Sequence, residues 1–206
     1  MKSTRARSPE RKKEQMDRII VAGAGLFVTR GADGFIMREL AGNLGMSPGN
    51  LYHYVATKRE LWFAIIGRYY EGYVNGLEKI ISDHEGGKVE LLEKIAYYYI
   101  DTALTDLPAY RMMNMIPPPP AASIGPFEES HESRAIVIVT SVVRDAIDAG
   151  EIRKDDPNYL TYYLWSTLHG AISLYVETEG PGRLSRPENF RDYADYMLRK
   201  LMNSLK

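Results

Sequence analysis

Apolar residues recur at three- and four-residue spacing through most of the chain, a period typical of amphipathic helices. The first such run covers residues 15–29, and a long run over residues 57–83 opens with Thr57 and Glu60 at capping-box spacing. Further runs cover residues 88–104, 133–150 and 156–179, and a last one begins near Pro187. No paired strands are indicated. The pattern predicts an all-α fold of about nine helices.

Two stretches depart from this simple pattern. Residues 116–126, "IPPPPAASIGP", contain four successive prolines, which cannot be helical and therefore predict a loop. Residues 133–150 are rich in β-branched side chains and suit a strand as well. Their apolar positions nevertheless continue a helical stripe up to Gly150, so we expect a helix.

The pentapeptide "GMSPG", Gly45 to Gly49, matches the G-x-S-x-G turn that exposes the nucleophile of serine hydrolases. That turn follows a strand, whereas "RELAGNLG" before Ser47 is helical in pattern, and the alternation of strands and helices is missing. A second role fits better: the Ser47 hydroxyl caps a helix whose first residue is Pro48, where no N–H is needed. We therefore predict a non-enzymatic role, with no catalytic residue.

The spacing around this turn fits a helix-turn-helix of about twenty residues beginning at Met37. Ala41 is small where the second helix crosses the first, and Gly45 suits the left-handed conformation of the turn. Two unrelated helices meeting by accident would not require a small residue and a glycine at these offsets. The expected buried positions are Leu40, Leu44, Met46, Leu51 and Tyr54.

Composition removes several classes of function. The chain has no cysteine, so disulfides, thiolate metal sites and thiol catalysis are excluded. Neither a metal-binding H-E-x-x-H nor a nucleotide-binding glycine loop occurs, so no metal or cofactor is expected. No run of about 20 apolar residues is present, and we expect a soluble cytoplasmic protein without a membrane partner.

Charge is segregated along the chain although the net charge is only −1. Residues 1–62 carry 11 basic and 6 acidic side chains, against 15 and 21 in the remainder. Basic segments attract phosphate through long-range fields and counterion release, so the N-terminal part is expected to meet a polyanion. A solvated basic tail is the alternative.

Residues 27–66 resemble the DNA-binding region of the TetR family of one-component transcriptional regulators. The resemblance rests on "RELA" in the second helix, the "GMS" turn, "LYHY" in the recognition helix and the K-x-E-L opening of the fourth. Residues 149–174 are similar to that family's C-terminal part. The resemblance implies a three-helix DNA-binding domain, residues 1–60, followed by an antiparallel helical ligand-binding and dimerisation domain, residues 61–206.

Two positions depart from the family pattern. Phe35 and Ile36 stand where Thr or Ser usually opens the second helix, so a common cap and phosphate contact is missing and Asp33 is expected to cap instead. Val55 stands where an aromatic residue is usual.

The resemblance also implies which residues meet a double-stranded DNA operator. The recognition helix is expected over residues 48–54, with Asn50 suited to adenine and His53 to guanine or phosphate. Phosphate contacts are expected from Tyr52, Lys58 and Arg38. A basic arm of Lys2, Arg5, Arg7, Arg11, Lys12 and Lys13 follows the minor groove or backbone, or is disordered without DNA. The full expected set is Arg38, Ser47, Pro48, Gly49, Asn50, Tyr52, His53 and Lys58.

Residues 156–179 carry two neighbouring apolar stripes, and two apolar faces need two partners. We expect this helix and the last one to form a four-helix interface with a second copy of the chain. An internal buried helix is the alternative. The expected homodimer interface comprises Leu164, Leu168, Ala171, Tyr175, Met197 and Leu201.

Aromatic and methionine residues crowd residues 97–115 and recur at Tyr162 and Trp165, a composition that suits a small apolar or aromatic effector. Most of them also suit an ordinary core. The expected effector-binding residues are Tyr98, Tyr110, Met113, Asn114, Tyr162, Trp165 and His169. The chain is thus expected to be a ligand-released repressor; a ligand-sequestering or protein-interaction module that has lost operator binding is the alternative.

Overall fold

The computed structural model describes residues 9–120, 134–177 and 187–205. These residues form nine α-helices and no strand, which confirms the all-α prediction, including the helix over the β-branched stretch. The helices are α1 (Pro9–Gly34), α2 (Met37–Asn43), α3 (Pro48–Tyr52), α4 (Lys58–Ser82), α5 (Lys88–Thr105), α6 (Leu107–Asn114), α7 (Arg134–Asp148), α8 (Pro157–Glu177) and α9 (Phe190–Leu205). None of them is long and apolar enough to cross a membrane.

Helix α1 begins earlier than its apolar pattern indicates, at Pro9, so Arg11, Lys12 and Lys13 are helical rather than part of an extended arm. The other arm residues, Lys2, Arg5 and Arg7, lie outside the described residues. At the other end Gly31 leaves the helical conformation, with φ 68° and ψ 176°, as expected of a terminating glycine.

The spacing of apolar residues does not distinguish helix α6 from the preceding helix α5. Its start is encoded by Asp106, whose side chain accepts a hydrogen bond from the Ala109 N–H at 3.0 Å, and by Pro108 in the first turn. Helix α8 is capped in the same way: the Asp156 carboxylate accepts hydrogen bonds from the Asn158 and Tyr159 N–H groups. This agrees with the predicted cap at Asp156.

The described residues fall into two compact units. The first takes in Met1–Gly72 and Asp106–Ser130, and the second Tyr73–Thr105 and His131–Lys206. Helix α4 contributes to both, and α6 belongs to the first.

The first unit is built around side chains from α1 to α4, joined by Met112 of α6. Phe27 and Phe35 stack with ring centroids 4.1 Å apart, which explains the aromatic residue found before α2. Val55 is also buried, so it fills the place expected of a larger ring. The fully buried members are Ile19, Phe27, Leu40, Ala41, Leu51, Leu61, Ile65 and Met112.

In the second unit α5, α7, α8 and α9 pack together. Polar contacts fix α5 against α9: the Tyr97 hydroxyl donates to Asp195 at 2.8 Å, and Arg191 pairs with Asp101 while lying over the Tyr97 ring. Burial, and then the bond to Asp195, raises the pKa of Tyr97 to about 12. This hydroxyl therefore stays protonated at neutral pH and acts as a donor.

The expected dimer interface needs correction on both helices that supply it. Leu164 and Leu168 of α8 and Met197 and Leu201 of α9 are between 4 and 9% exposed within one copy of the chain, so they form its core. Tyr175 packs its ring on Phe190 at 4.5 Å, and Ala171 is half-buried. The second stripe of α8 is the open one, with Tyr159, Tyr163 and Leu174 exposed.

Candidate DNA-binding site and effector region

The turn between α2 and α3 depends on Gly45, whose φ of 64° lies in the left-handed region. The Gly45 N–H donates to the Gly42 carbonyl at 3.0 Å and the Met46 N–H to the Ala41 carbonyl at 2.8 Å. These two bonds satisfy carbonyls at the end of α2 and reverse the chain within a few residues. The steep bend expected of a helix-turn-helix is therefore present.

Ser47 caps α3. Its side chain accepts a hydrogen bond from the Asn50 N–H at 3.3 Å, and Pro48 occupies the first helical position. The hydroxyl thus serves the helix start, and its neighbours are helices rather than the strand that a nucleophile turn requires.

Helix α3 is held by one buried face and presents the other. Leu51 is fully buried, whereas Pro48, Gly49 and Tyr52 are exposed. His53 ends the helix as its C-cap and is also exposed, so α3 ends two residues earlier than predicted. The short helix therefore offers its N-terminal, outward positions to a partner outside this unit.

The start of α2 is organised without a side-chain cap. Ile36 occupies the N-cap position and makes no such hydrogen bond, so the expected cap by Asp33 is wrong. The Phe27–Phe35 stack and an ion pair between Arg30 and Glu39 at 3.1 Å hold this end of the helix instead. Packing replaces the missing cap because Phe35 is buried against Phe27 of α1.

The start of α4 is tied to two neighbouring segments. The Thr57 hydroxyl accepts from the Glu60 N–H at 3.0 Å, as predicted, while the Glu60 carboxylate accepts from the Ala56 N–H at 2.6 Å. Lys58 donates to the Ala32 carbonyl at 2.6 Å. Lys58, expected at phosphate, therefore has an internal acceptor in the last residues of α1.

The expected DNA-contacting residues all lie in the first unit. Arg38 is exposed on α2, and Asn50 and Lys58 are half-buried. The structure groups Ser47 to His53 on one short helix and its caps, with Lys58 at the start of the next.

The second unit contains a half-buried cluster of aromatic and polar side chains. The Trp165 indole N–H donates to the Tyr99 hydroxyl at 3.3 Å, and that hydroxyl lies 3.1 Å from Nδ1 of His169. Nε2 of His169 lies 3.3 Å from the Ser173 hydroxyl. Burial lowers the pKa of His169, which favours the neutral imidazole within the cluster. Tyr99 and Ser173 are the two members that were not among the expected effector-binding residues.

The seven expected effector-binding residues do not form one group. Trp165 and His169 belong to the cluster, with the Tyr162 ring edge-on to Trp165 at 6.0 Å. Tyr98 lies in the same unit and stacks on Tyr73, whose ring lies edge-on to Tyr99 at 6.3 Å. The remaining three, Tyr110, Met113 and Asn114, lie on α6 in the first unit, where Tyr110 is buried and accepts a hydrogen bond from Asn114.

Two family models match the chain. Residues 19–65 match the model of bacterial regulatory proteins of the tetR family, and residues 92–201 match the tetracyclin repressor-like C-terminal domain. The second match alone covers more than half of the chain. The chain belongs to the TetR family. It is therefore a DNA-binding transcription regulator of a ligand-binding family, and not an enzyme.

A curated relative is the HTH-type transcriptional activator FasR of Mycolicibacterium smegmatis, 25% identical over 100 residues. The match covers 48% of this chain and 45% of the relative, so it spans about half the length of either protein.

Three solved structures share the fold. FadR of Bacillus subtilis in complex with stearoyl-CoA has a TM-score of 0.72 at 13% identity, covering 92% of this chain and 99% of its own. AibR in complex with isovaleryl coenzyme A and operator DNA has 0.67 at 20%, covering 91 and 97%. The TetR family regulator PfmR of Thermus thermophilus has 0.69 at 24%, covering 89 and 98%.

Replacing Gly45 with alanine is expected to lower the free energy of unfolding by about 1–2 kcal/mol, since a Cβ is disfavoured at positive φ. Gly49→Ala is the matched control, because neither glycine has a neighbouring atom within 4 Å of the added Cβ and Gly49 is helical. Gly49→Ala should leave stability unchanged or slightly raised. Urea unfolding of both variants measures the difference, and equal stabilities would contradict the role given to the turn.

Proposed function

We propose that this regulator is a homodimer that binds a palindromic operator through the α2–α3 pair and leaves it when a small apolar or aromatic effector binds the second unit. The observation that carries the proposal is the capped, outward-facing α3 beside the left-handed turn at Gly45. The protein would act on DNA in the cytoplasm.

Base recognition falls to the N-terminal half of α3. Gly49 has no side chain and is exposed, so the backbone can approach a groove edge closely. Asn50 suits the paired donor and acceptor of adenine, and His53 suits guanine or a phosphate. Tyr52, Arg38 and Lys58 supply the phosphate contacts that set register, Lys58 with the donors that its bond to Ala32 leaves over.

Operator affinity is expected to fall steeply with salt, because docking of the basic N-terminal unit releases counterions from the duplex. For about six phosphate contacts, raising salt from 50 to 200 mM weakens binding by about a thousandfold. Duplexes selected from a random library by the purified protein supply the operator, and fluorescence anisotropy measures its affinity.

Arg38→Ala should reduce the salt slope by about one unit, because one phosphate contact is lost. Arg144→Ala, a change of an exposed arginine on α7 in the second unit, is the control and should leave the slope unchanged. A flat salt response of the unaltered protein would instead support the alternative, a ligand-sequestering or protein-interaction module. That alternative is favoured only by the uncapped start of α2 at Phe35 and Ile36.

Dimerisation is assigned to the open stripe of α8 together with the neighbouring exposed face of α9. Tyr159, Tyr163 and Leu174 are between 50 and 76% exposed, and Tyr196 of α9 is 54% exposed. Gly170 between them permits close helix approach. Large apolar side chains in such a row are costly to leave in water, and a symmetric four-helix contact would cover them.

Leu174→Arg is expected to convert the dimer to a monomer at micromolar concentration, because an unpaired guanidinium would be buried at the interface. Light scattering after gel filtration measures the mass. Leu104→Arg, on an exposed position of α5, should remain dimeric. A dimeric Leu174→Arg variant would exclude this face.

The effector region is assigned to the cluster of Tyr99, Trp165, His169 and Ser173. Its rings offer apolar surface and its hydroxyls and neutral imidazole offer uncharged hydrogen-bonding groups, a combination suited to an apolar molecule with one polar group. Acyl thioesters are the first class to test, because FadR and AibR were crystallised with stearoyl-CoA and isovaleryl coenzyme A. Helix α4 contributes residues to both units, and we assign to it the coupling by which effector binding lowers the affinity for DNA.

Stearoyl-CoA or isovaleryl-CoA is expected to release the operator from the unaltered protein. Trp165→Ala should raise the concentration needed by at least about tenfold, because the indole ring and its bond to Tyr99 are lost. Leu104→Ala is the control. Anisotropy of labelled operator gives the release curve; release by neither thioester would reject this effector class, and an unaffected Trp165→Ala would reject the location.

A further inference from the structure

A cavity in the second unit lies beside the aromatic cluster, because its lining residue Tyr98 stacks on Tyr73 and the Tyr73 ring lies edge-on to Tyr99 at 6.3 Å. It is a groove of about 450 Å³ between the last turns of α4 and the first turns of α5, a volume typical of small-molecule sites. It shares no lining residue with the Tyr99–Trp165–His169 cluster. The lining residues are Gly76, Lys79, Ile80, Asp83, His84, Lys94 and Tyr98.

One wall of the groove is a fixed aromatic ring. Tyr98 stacks on Tyr73 with centroids 5.3 Å apart, and its hydroxyl donates to the Tyr73 carbonyl at 3.1 Å. Gly76 makes room for this arrangement, since a Cβ there would lie 2.0 Å from the Tyr98 hydroxyl oxygen. The groove thus has a rigid apolar side that any larger residue at position 76 would displace.

The rim is held by a chain of hydrogen bonds. Lys94 donates to the Glu90 carboxylate at 2.8 Å and lies 3.2 Å from Nδ1 of His84, while Nε2 of His84 lies 2.9 Å from the Gly87 carbonyl. An ammonium can only donate and a carbonyl can only accept, so in this arrangement Nδ1 of His84 accepts from Lys94 and Nε2 donates to the Gly87 carbonyl. Lys94 is therefore positioned beside the groove before any ligand arrives.

Lys79 supplies a second positive charge to the lining of the groove. It is exposed, and its ammonium has no carboxylate partner among the described residues. The lining as a whole holds two ammonium groups against the single carboxylate of Asp83, and Glu90 stands behind Lys94. Counted with Glu90, the two ammonium groups and the two carboxylates cancel, so the attraction for an anion comes from Lys79, and it suits a single negative charge better than a phosphate dianion.

We propose that this groove binds a small carboxylate monoanion with an apolar body. The carboxylate pairs with Lys79, since Lys94 is already paired with Glu90, and the apolar body lies against Tyr98 and Ile80. The bound molecule bridges α4 and α5 outside the effector region, so it constitutes a second ligand site on the regulator. The site does not depend on which effector releases the operator.

The probe is octanoate, and octanamide is the uncharged compound of the same length. Each is titrated into the full chain without DNA, and calorimetry measures its affinity. Octanoate is expected to bind about tenfold more tightly than octanamide, the value of one charge-assisted contact. Lys79→Met, which keeps the apolar stem, should remove that advantage, and Lys79→Arg should retain most of it. Lys154→Met, on an exposed lysine before α8 that belongs to neither proposed site, is the control.

Equal binding of acid and amide, or octanoate binding unchanged by Lys79→Met, overturns the proposal. Trp165→Ala separates the two sites: octanoate binding that survives this change supports the groove even if no thioester releases the operator. Loss of octanoate binding in Trp165→Ala, with Lys79→Met behaving as the unaltered protein, places the acid in the aromatic cluster and excludes the groove.

Discussion

The left-handed turn at Gly45 is the constraint on which the DNA-binding unit depends. It lets α2 stop and α3 begin within a few residues, and it brings Ala41, Leu40 and Leu51 into one buried contact. Leu51 is buried and Ser47 caps the helix, so Pro48, Gly49 and Tyr52 of α3 face outward. A helix of five residues has little stability of its own, so its direction is set almost entirely by this packing.

At the start of α2, several contacts take the place of a side-chain cap. Phe35 is buried against Phe27, Arg30 pairs with Glu39, and Lys58 reaches the Ala32 carbonyl. The departure at Phe35 is thus explained by packing. Ile36 is exposed, and nothing in the structure explains that departure. The second unit has a different character, since its half-buried tyrosines, tryptophan and histidine are linked to each other by hydrogen bonds.

The assignment of apolar stripes shows where sequence reasoning reaches its limit. Helix α8 was expected to present Leu164 and Leu168 to a second copy of the chain, yet these residues are core, and the stripe with Tyr163 and Leu174 is the open one. Both stripes satisfy the helical period, so the period alone cannot say which surface covers which stripe. The expected effector residues show the same limit. Residues on α6 resemble those on α5 and α8 in composition, but they fold into a different unit.

The sequence by itself determined the all-α class, the turn at Gly45, the caps at Ser47, Thr57 and Asp156, and the family, because each is written in short-range spacing or in a residue with a special backbone or capping property. Only the tertiary structure decided which apolar face is buried, that Lys58 has an acceptor at the end of α1, and that Gly76 and Tyr98 shape a groove with Lys79 and Lys94. These features join residues distant in the chain or on different helices. Their contacts depend on how the helices pack, and local propensity carries no information about that.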